Sequence, residues 1–168
     1  MFALGVDPGL SRCGYGAVVR VPGGIEVVTA GVIKTPPSDP LATRLASLFA
    51  ELKRLLAETR PDVVVVERVL FQTNARTAMG VGQASGVALV AACEAGCQVV
   101  QYSPNEVKQA VTGYGSANKE QVQRMVQALL HLAERPRPPD VADALALAMC
   151  HLTGTGLRAA VAAAGGTS

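Results

Sequence analysis

A chain of 168 residues, 49% hydrophobic and only 17% charged, suits one compact domain with a sizeable core, and no second domain is expected. A net charge of +2 excludes a uniformly basic molecule, so any nucleic-acid surface must come from local clusters of Lys and Arg. Cys13, Cys93, Cys97 and Cys150 lack a paired CxxC spacing, which favours reduced thiols and a cytoplasmic setting, and no apolar run approaches the roughly 18 residues of a membrane span.

The stretch FALGVDPGLSRCGYGAVV reads as a buried strand ending on Asp7, a tight turn at Pro8 and Gly9, and a second strand from Cys13 to Arg20. Pro22, Gly23 and Gly24 turn the chain into a third strand, Ile25 to Ile33, which makes an antiparallel meander of the first three. Asp39 and Pro40 are placed as N-cap and first residue of a helix. Its apolar stripe, Leu41, Leu45, Leu48, Phe49, Leu52, Leu55 and Leu56, runs to Arg60-Pro61. PDVVVVERV is a continuous β-branched run, suited to a strand buried on both faces, and it ends on Glu67.

Asn74 is a candidate cap for a helix reaching about Ala95, in which Gly80, Gly82, Ala84, Ser85 and Gly86 permit close approach by another backbone. Cys97 to Tyr102 form a fifth strand, and Ser103-Pro104-Asn105-Glu106 is a capping box for a short helix ending near Gly113. A further helix carries Val122, Met125, Val126, Leu129 and Leu130, ERPRPPD makes a loop, and Asp140 opens the last helix, DVADALALAMCHL. Residues 1–153 are expected to form one domain and residues 154–168, rich in Ala and Gly, a disordered tail.

A meander followed by two strand and crossover-helix units implies an α/β fold with a mixed sheet whose first, fourth and fifth strands run parallel. If the first and fourth are neighbours, about 4.8 Å apart, Asp7 and Glu67 meet at the carboxyl edge, where open sheets place their sites. Asp140 and Asp143 share one face of a helix's first turn. Acids there favour the helix dipole, but Asp143 stands in an otherwise apolar run that should face the sheet. Four carboxylates from three segments suit Mg²⁺ or Mn²⁺ rather than zinc, and two such ions about 4 Å apart promote phosphodiester hydrolysis. His131 and His151 are read as surface or packing residues.

GVDPGLSRCGYG, VVVERV, GQASGVALVAA, VKQAVTGYGSANKEQVQ and DVADALALA resemble, in order from about Gly5 to His151, the blocks of the RuvC family of crossover-junction endodeoxyribonucleases. The resemblance implies a ribonuclease-H-like fold: a five-stranded mixed sheet, made of a three-stranded antiparallel meander plus two parallel strands, covered by helices. It implies a homodimer that resolves four-way (Holliday) DNA junctions in recombination and repair, with two Mg²⁺ per active site, Mn²⁺ as a substitute, and a branch-migration helicase complex as partner.

By the same resemblance Asp7, Glu67, Asp140 and Asp143 take the places of the catalytic, metal-holding acids, and Lys108 and Lys119 those of basic residues near the scissile strand. Lys119 is notable on its own, since a cation in a first helical turn opposes the dipole. The family's junction-entering aromatic falls on Leu70 or Phe71, with Phe71 one position later than its pattern; either can wedge a base step. Ser85 stands where the family usually has a basic residue, a loss Arg76 is placed to replace. Arg12, Arg68, Arg76, Lys108, Lys119, Arg124, Arg135 and Arg137 are candidates to surround the acids and bind phosphates.

Three other readings compete. DPGLSRCGYGAVV also resembles the phosphate loop of actin-like ATPases and sugar kinases, but those duplicate the domain and need a second such loop, which this chain lacks. A related ribonuclease-H-like nuclease on another branched or hybrid substrate would use the same acids. A non-catalytic nucleic-acid-binding module would keep the fold without the reaction.

Overall fold

The computed structural model describes residues 1–69 and 75–165, with 75–77 and 155–165 described as backbone only. The chain order is β1 (Phe2–Asp7), β2 (Arg12–Val21), β3 (Gly24–Lys34), α1 (Leu41–Thr59), β4 (Val63–Glu67), α2 (Ala75–Glu94), β5 (Gln98–Tyr102), α3 (Pro104–Thr112), α4 (Lys119–Leu129) and α5 (Pro139–Gly165). The strands form one sheet in the order β3-β2-β1-β4-β5. The expected meander is present, β1 pairing antiparallel with β2 and β2 with β3, while β1, β4 and β5 run parallel.

Side chains alternate across this sheet, so each strand feeds two cores. Leu4, Val6, Val64 and Val66 pack against Leu48, Leu52, Leu55 and Leu56 of α1 and Ala84, Ala88, Ala91 and Ala92 of α2. Ala3, Val18, Val63 and Val65 face the other way, toward Val107 and Val111 of α3, Val122 and Val126 of α4, and Leu145 to Leu152 of α5. Val63 to Val66 are all buried, which is the reason a run without polar alternation makes the central strand.

Several boundaries differ from expectation. Pro40 keeps an extended ψ of 144° and is itself the N-cap of α1, so the helix starts at Leu41, without a side-chain cap from Asp39. The box at Ser103 and Glu106 caps α3 as expected, and α4 has a box of its own, Asn118 with Gln121. The proposed cap Asn74 lies outside the described residues. Helix α5 is described from Pro139 to Gly165, and its alanines carry the highest helix propensity. No helix among the described residues is long and apolar enough to cross a membrane.

Candidate active site

The site is built by the carboxyl edge of the parallel strands. Val6 is in register with Val66, so Asp7 and Glu67, one step further on, stand side by side; Asp7 also pairs with Gly14 of β2, and Glu67 with Tyr102 of β5. Asp7 shares its face of β1 with Ala3 and Gly5, the face toward α5.

What brings the second pair of acids to that edge is the absence of side chains beneath α5. A Cβ on Gly5 would stand 1.9 Å from the carbonyl oxygen of Ala144, and one on Gly14 would stand 2.2 Å from that of Asp140. The α5 backbone therefore rests directly on β1 and β2, with Leu145 against Gly16, and its first turn hangs over the edge where Asp7 ends. A hydrogen bond of 3.0 Å between the Tyr102 hydroxyl and His151 Nδ1 ties the same helix to β5, and His151 is buried as a packing residue. His131 is exposed.

Asp7, Glu67 and Asp143 line a cleft of about 370 Å³ together with Lys108 and Lys119, floored by Val107, Val122 and Leu147. Asp140 stands to the β2 side. Lys119, the first residue of α4, donates to Asp143 Oδ2 at 2.7 Å, and Arg12, the first residue of β2, donates to Asp140 Oδ2 at 2.5 Å. Burial, followed by the charges of Asp143, Glu67 and Asp140, raises the Asp7 pKa to about 7, with Lys119 acting in the opposite sense. Burial and then Asp143 raise Glu67 as well, against the pull of Lys119 and Lys108. Burial opposes the charge on Lys119, but the hydrogen bond and charge of Asp143, with Asp7 and Asp140, hold it above the ordinary lysine value.

The four acids read from the sequence are thus brought to one edge, and both predicted lysines reach them. Among the described residues no three acidic, His or Cys side chains converge as a ready metal cage; Asp140 is turned instead to Arg12 and Asp143 to Lys119. Of the eight cations expected around the acids, Lys108 and Lys119 line the cleft and Arg12 meets Asp140. Arg124 and Arg135 share Glu120 on the flank of α4, and Arg68 donates to the Gln101 carbonyl. Ser85 is buried at 4% exposure, where α2 packs against the sheet. Leu70 and Phe71 lie outside the described residues, as does the side chain of Arg76. Sequence reasoning missed the glycine seat of α5. Its signal was available in the alternation of Gly14 and Gly16 within a strand and in Gly5 two residues before the acid.

The family model for the crossover junction endodeoxyribonuclease RuvC matches residues 3–151. A curated crossover junction endodeoxyribonuclease RuvC from Salinispora arenicola is 53% identical over 165 residues, covering 98% of this chain and 94% of that protein. The structure of Thermus thermophilus RuvC in complex with a Holliday junction substrate superposes with a TM-score of 0.86 at 40% identity, covering 92% of this chain and 94% of that one. The yeast mitochondrial Holliday junction resolvase, 14% identical with a TM-score of 0.62, shares the fold. The chain belongs to the RuvC family.

Proposed function

We propose, from that membership, that this protein resolves four-way DNA junctions by hydrolysing phosphodiester bonds in recombination and repair, and that residues 1–153 are its nuclease domain. The observation that carries the reading is the placement of Asp7 and Glu67 at one sheet edge, facing Asp143 across a cleft that also holds Lys108 and Lys119. The junction bound to the Thermus thermophilus relative supports the choice of substrate.

Asp7, Glu67, Asp140 and Asp143 are assigned to hold divalent cations, Mg²⁺ with Mn²⁺ as a substitute, two per active site. The donors are all carboxylate oxygens, which suits hard cations, and the raised proton affinity of Asp7 and Glu67 supports a site short of positive charge. When bound, such a pair supplies the charge that activates an attacking water and stabilises the leaving oxygen. Lys108 and Lys119 draw the scissile strand's phosphates to the acids, Arg76 adds a backbone contact, and Leu70 or Phe71 wedges into the junction. Binding is then salt-sensitive.

The test is cleavage of an end-labelled synthetic four-way junction beside a linear duplex, each with and without Mg²⁺. Paired symmetric nicks in the junction alone, requiring the metal, are expected. Equal cutting of the duplex overturns the substrate assignment, and tight binding without cleavage at any metal concentration overturns the enzyme.

Paired nicks on two equivalent strands call for a two-fold dimer. The exposed face of α2 supplies a surface for it: Met79, Gly82, Gly86 and Val90 follow at helical spacing, with Met79 63% and Val90 53% exposed and no Cβ to hold a partner off at the glycines. Sedimentation at micromolar concentration is expected to give a dimer that Val90→Glu weakens at least about tenfold, since it buries an unpaired carboxylate in the contact. A monomeric parent protein defeats the dimer, and an unweakened variant defeats this face. A branch-migration helicase partner is proposed on family grounds alone. A cytoplasmic location is supported by four free cysteines.

A further inference from the structure

Arg12 holds the acid nearest to β2, and its backbone is unusually well anchored for a residue whose side chain is 46% exposed. The turn before it is braced from two other elements. Thr35, buried just after β3, donates its hydroxyl to the Leu10 carbonyl at 2.5 Å, and its backbone N–H reaches the Ser11 carbonyl at 3.3 Å. Arg44 of α1 donates to Thr35 Oγ1 at 3.0 Å and to Ser11 Oγ at 2.6 Å. Gly9 closes the turn so tightly that a Cβ would stand 2.2 Å from the Arg12 carbonyl oxygen. The Arg12 backbone is fixed while its guanidinium extends to Asp140, 128 residues away in sequence.

The two acids of α5 are each met by a cation from a different element, Asp140 by Arg12 and Asp143 by Lys119, whereas Asp7 and Glu67 carry the repulsion of the group. A carboxylate oxygen that accepts an arginine N–H at 2.5 Å is less available to a metal. An arginine released from that oxygen, half exposed at the start of β2 just after the braced turn, is well shaped to take a phosphate.

We propose that Arg12 is an exchangeable counter-ion: it holds Asp140 in the metal-free protein, gives that carboxylate up to a divalent cation, and turns to a phosphate of the bound DNA strand. It is a positioning residue for Asp140 and a binding residue for DNA. This rests on the reading of Asp140 as a metal ligand. Because metal on Asp140 frees Arg12 for a phosphate, and a phosphate on Arg12 frees Asp140 for the metal, each ligand strengthens the other.

The experiment is a calorimetric titration of Mn²⁺ into DNA-free protein, paired with junction binding over a salt series without metal and in Ca²⁺. Arg12→Gln is expected to bind Mn²⁺ about threefold to fivefold more tightly than the parent, the competition an exposed ion pair can exert. In Ca²⁺ its junction affinity is expected to fall and its salt slope to shrink by about one, the signature of one lost phosphate contact. Arg12→Lys, which keeps the charge without the planar fork, should restore most of the slope. In an Asp140→Asn background the Arg12→Gln change should leave Mn²⁺ affinity unaltered. Unchanged or weaker Mn²⁺ binding by Arg12→Gln overturns the exchange, and an unchanged salt slope overturns the phosphate role. Parent protein that binds no Mn²⁺, or Asp140→Asn that binds it as well as the parent, overturns the underlying metal-ligand reading instead.

Discussion

Asp7→Asn is expected to abolish junction cleavage while leaving junction binding intact and making the metal-free protein more stable. Removing one carboxylate from the assigned site removes several kcal/mol of charge stabilisation, so a rate loss of at least about a thousandfold is expected, the equivalent of about 4 kcal/mol. Binding survives because the acid repels phosphates and contributes none of the cationic contacts.

The stability gain follows from the raised pKa. In the unfolded chain Asp7 ionises near 3.8, whereas in the fold it keeps its proton to about 7. Between those values the folded state binds the extra proton, so stability falls as pH rises through this window and the full cost is present above it. A shift of that size is worth at most about 4 kcal/mol, and water reaching the half-buried carboxylate leaves on the order of 2. At pH 8 without divalent metal the variant should therefore melt about 4–8 °C above the parent, and at pH 3.5 the two should coincide. Saturating Mg²⁺ should narrow the gap by stabilising the parent more. A variant that cuts junctions at the parent rate removes Asp7 from the catalytic set, and one that melts no higher at pH 8 removes the electrostatic account of the site.

Gly5→Ala and Gly14→Ala test how the fold delivers Asp140 and Asp143 to the sheet edge. At Gly5 the new Cβ would meet the Ala144 carbonyl oxygen at 1.9 Å and the Ala148 nitrogen at 2.9 Å. These are backbone atoms inside a helix, which cannot turn aside as a side chain can, so α5 must lift from β1. Overpacking of this kind costs about 3 kcal/mol or more, a fall of roughly 6–12 °C in Tm for a chain of this size. At Gly14 the Cβ would lie 2.2 Å from the Asp140 carbonyl oxygen and 3.0 Å from its Cβ.

The first turn of α5 yields more easily than its middle, so the Gly14 variant should lose less stability and more activity. A displacement of Asp140 by about 1 Å is expected to cost about a hundredfold in cleavage rate. Gly24→Ala, where a Cβ meets nothing within 4 Å, is the control and should change stability by less than about 0.5 kcal/mol. Parent-like melting of Gly5→Ala, or parent-like cleavage by Gly14→Ala, shows that α5 does not depend on these contacts for its seat.

The four acids and the elements that carry them were legible in the sequence because their signals are local. Val63 to Val66 are β-branched without interruption, so they declare a strand buried on both faces, and the chain direction then places Glu67 beside Asp7 at the carboxyl edge. The box at Ser103 and Glu106 is a contact three residues long, and the apolar stripe of α1 repeats every three or four residues. Even so, Pro40 shifted the start of α1 by a residue, because an extended backbone at that position overrides the cap its neighbour offered.

Only the tertiary structure decided which cations meet which acids. Arg12 and Arg124 are indistinguishable as isolated arginines, yet one crosses 128 residues of sequence to Asp140 while the other is taken by Glu120, one helical turn away. Likewise the close backbone approach at Gly5 and Gly14 exists only once α5 is laid across them. The reason is physical. Strand and helix periodicity is written in neighbouring residues, but the choice of an ion-pair partner and the closeness of two backbones depend on the distances that packing leaves, and those exist once both cores have closed on the sheet.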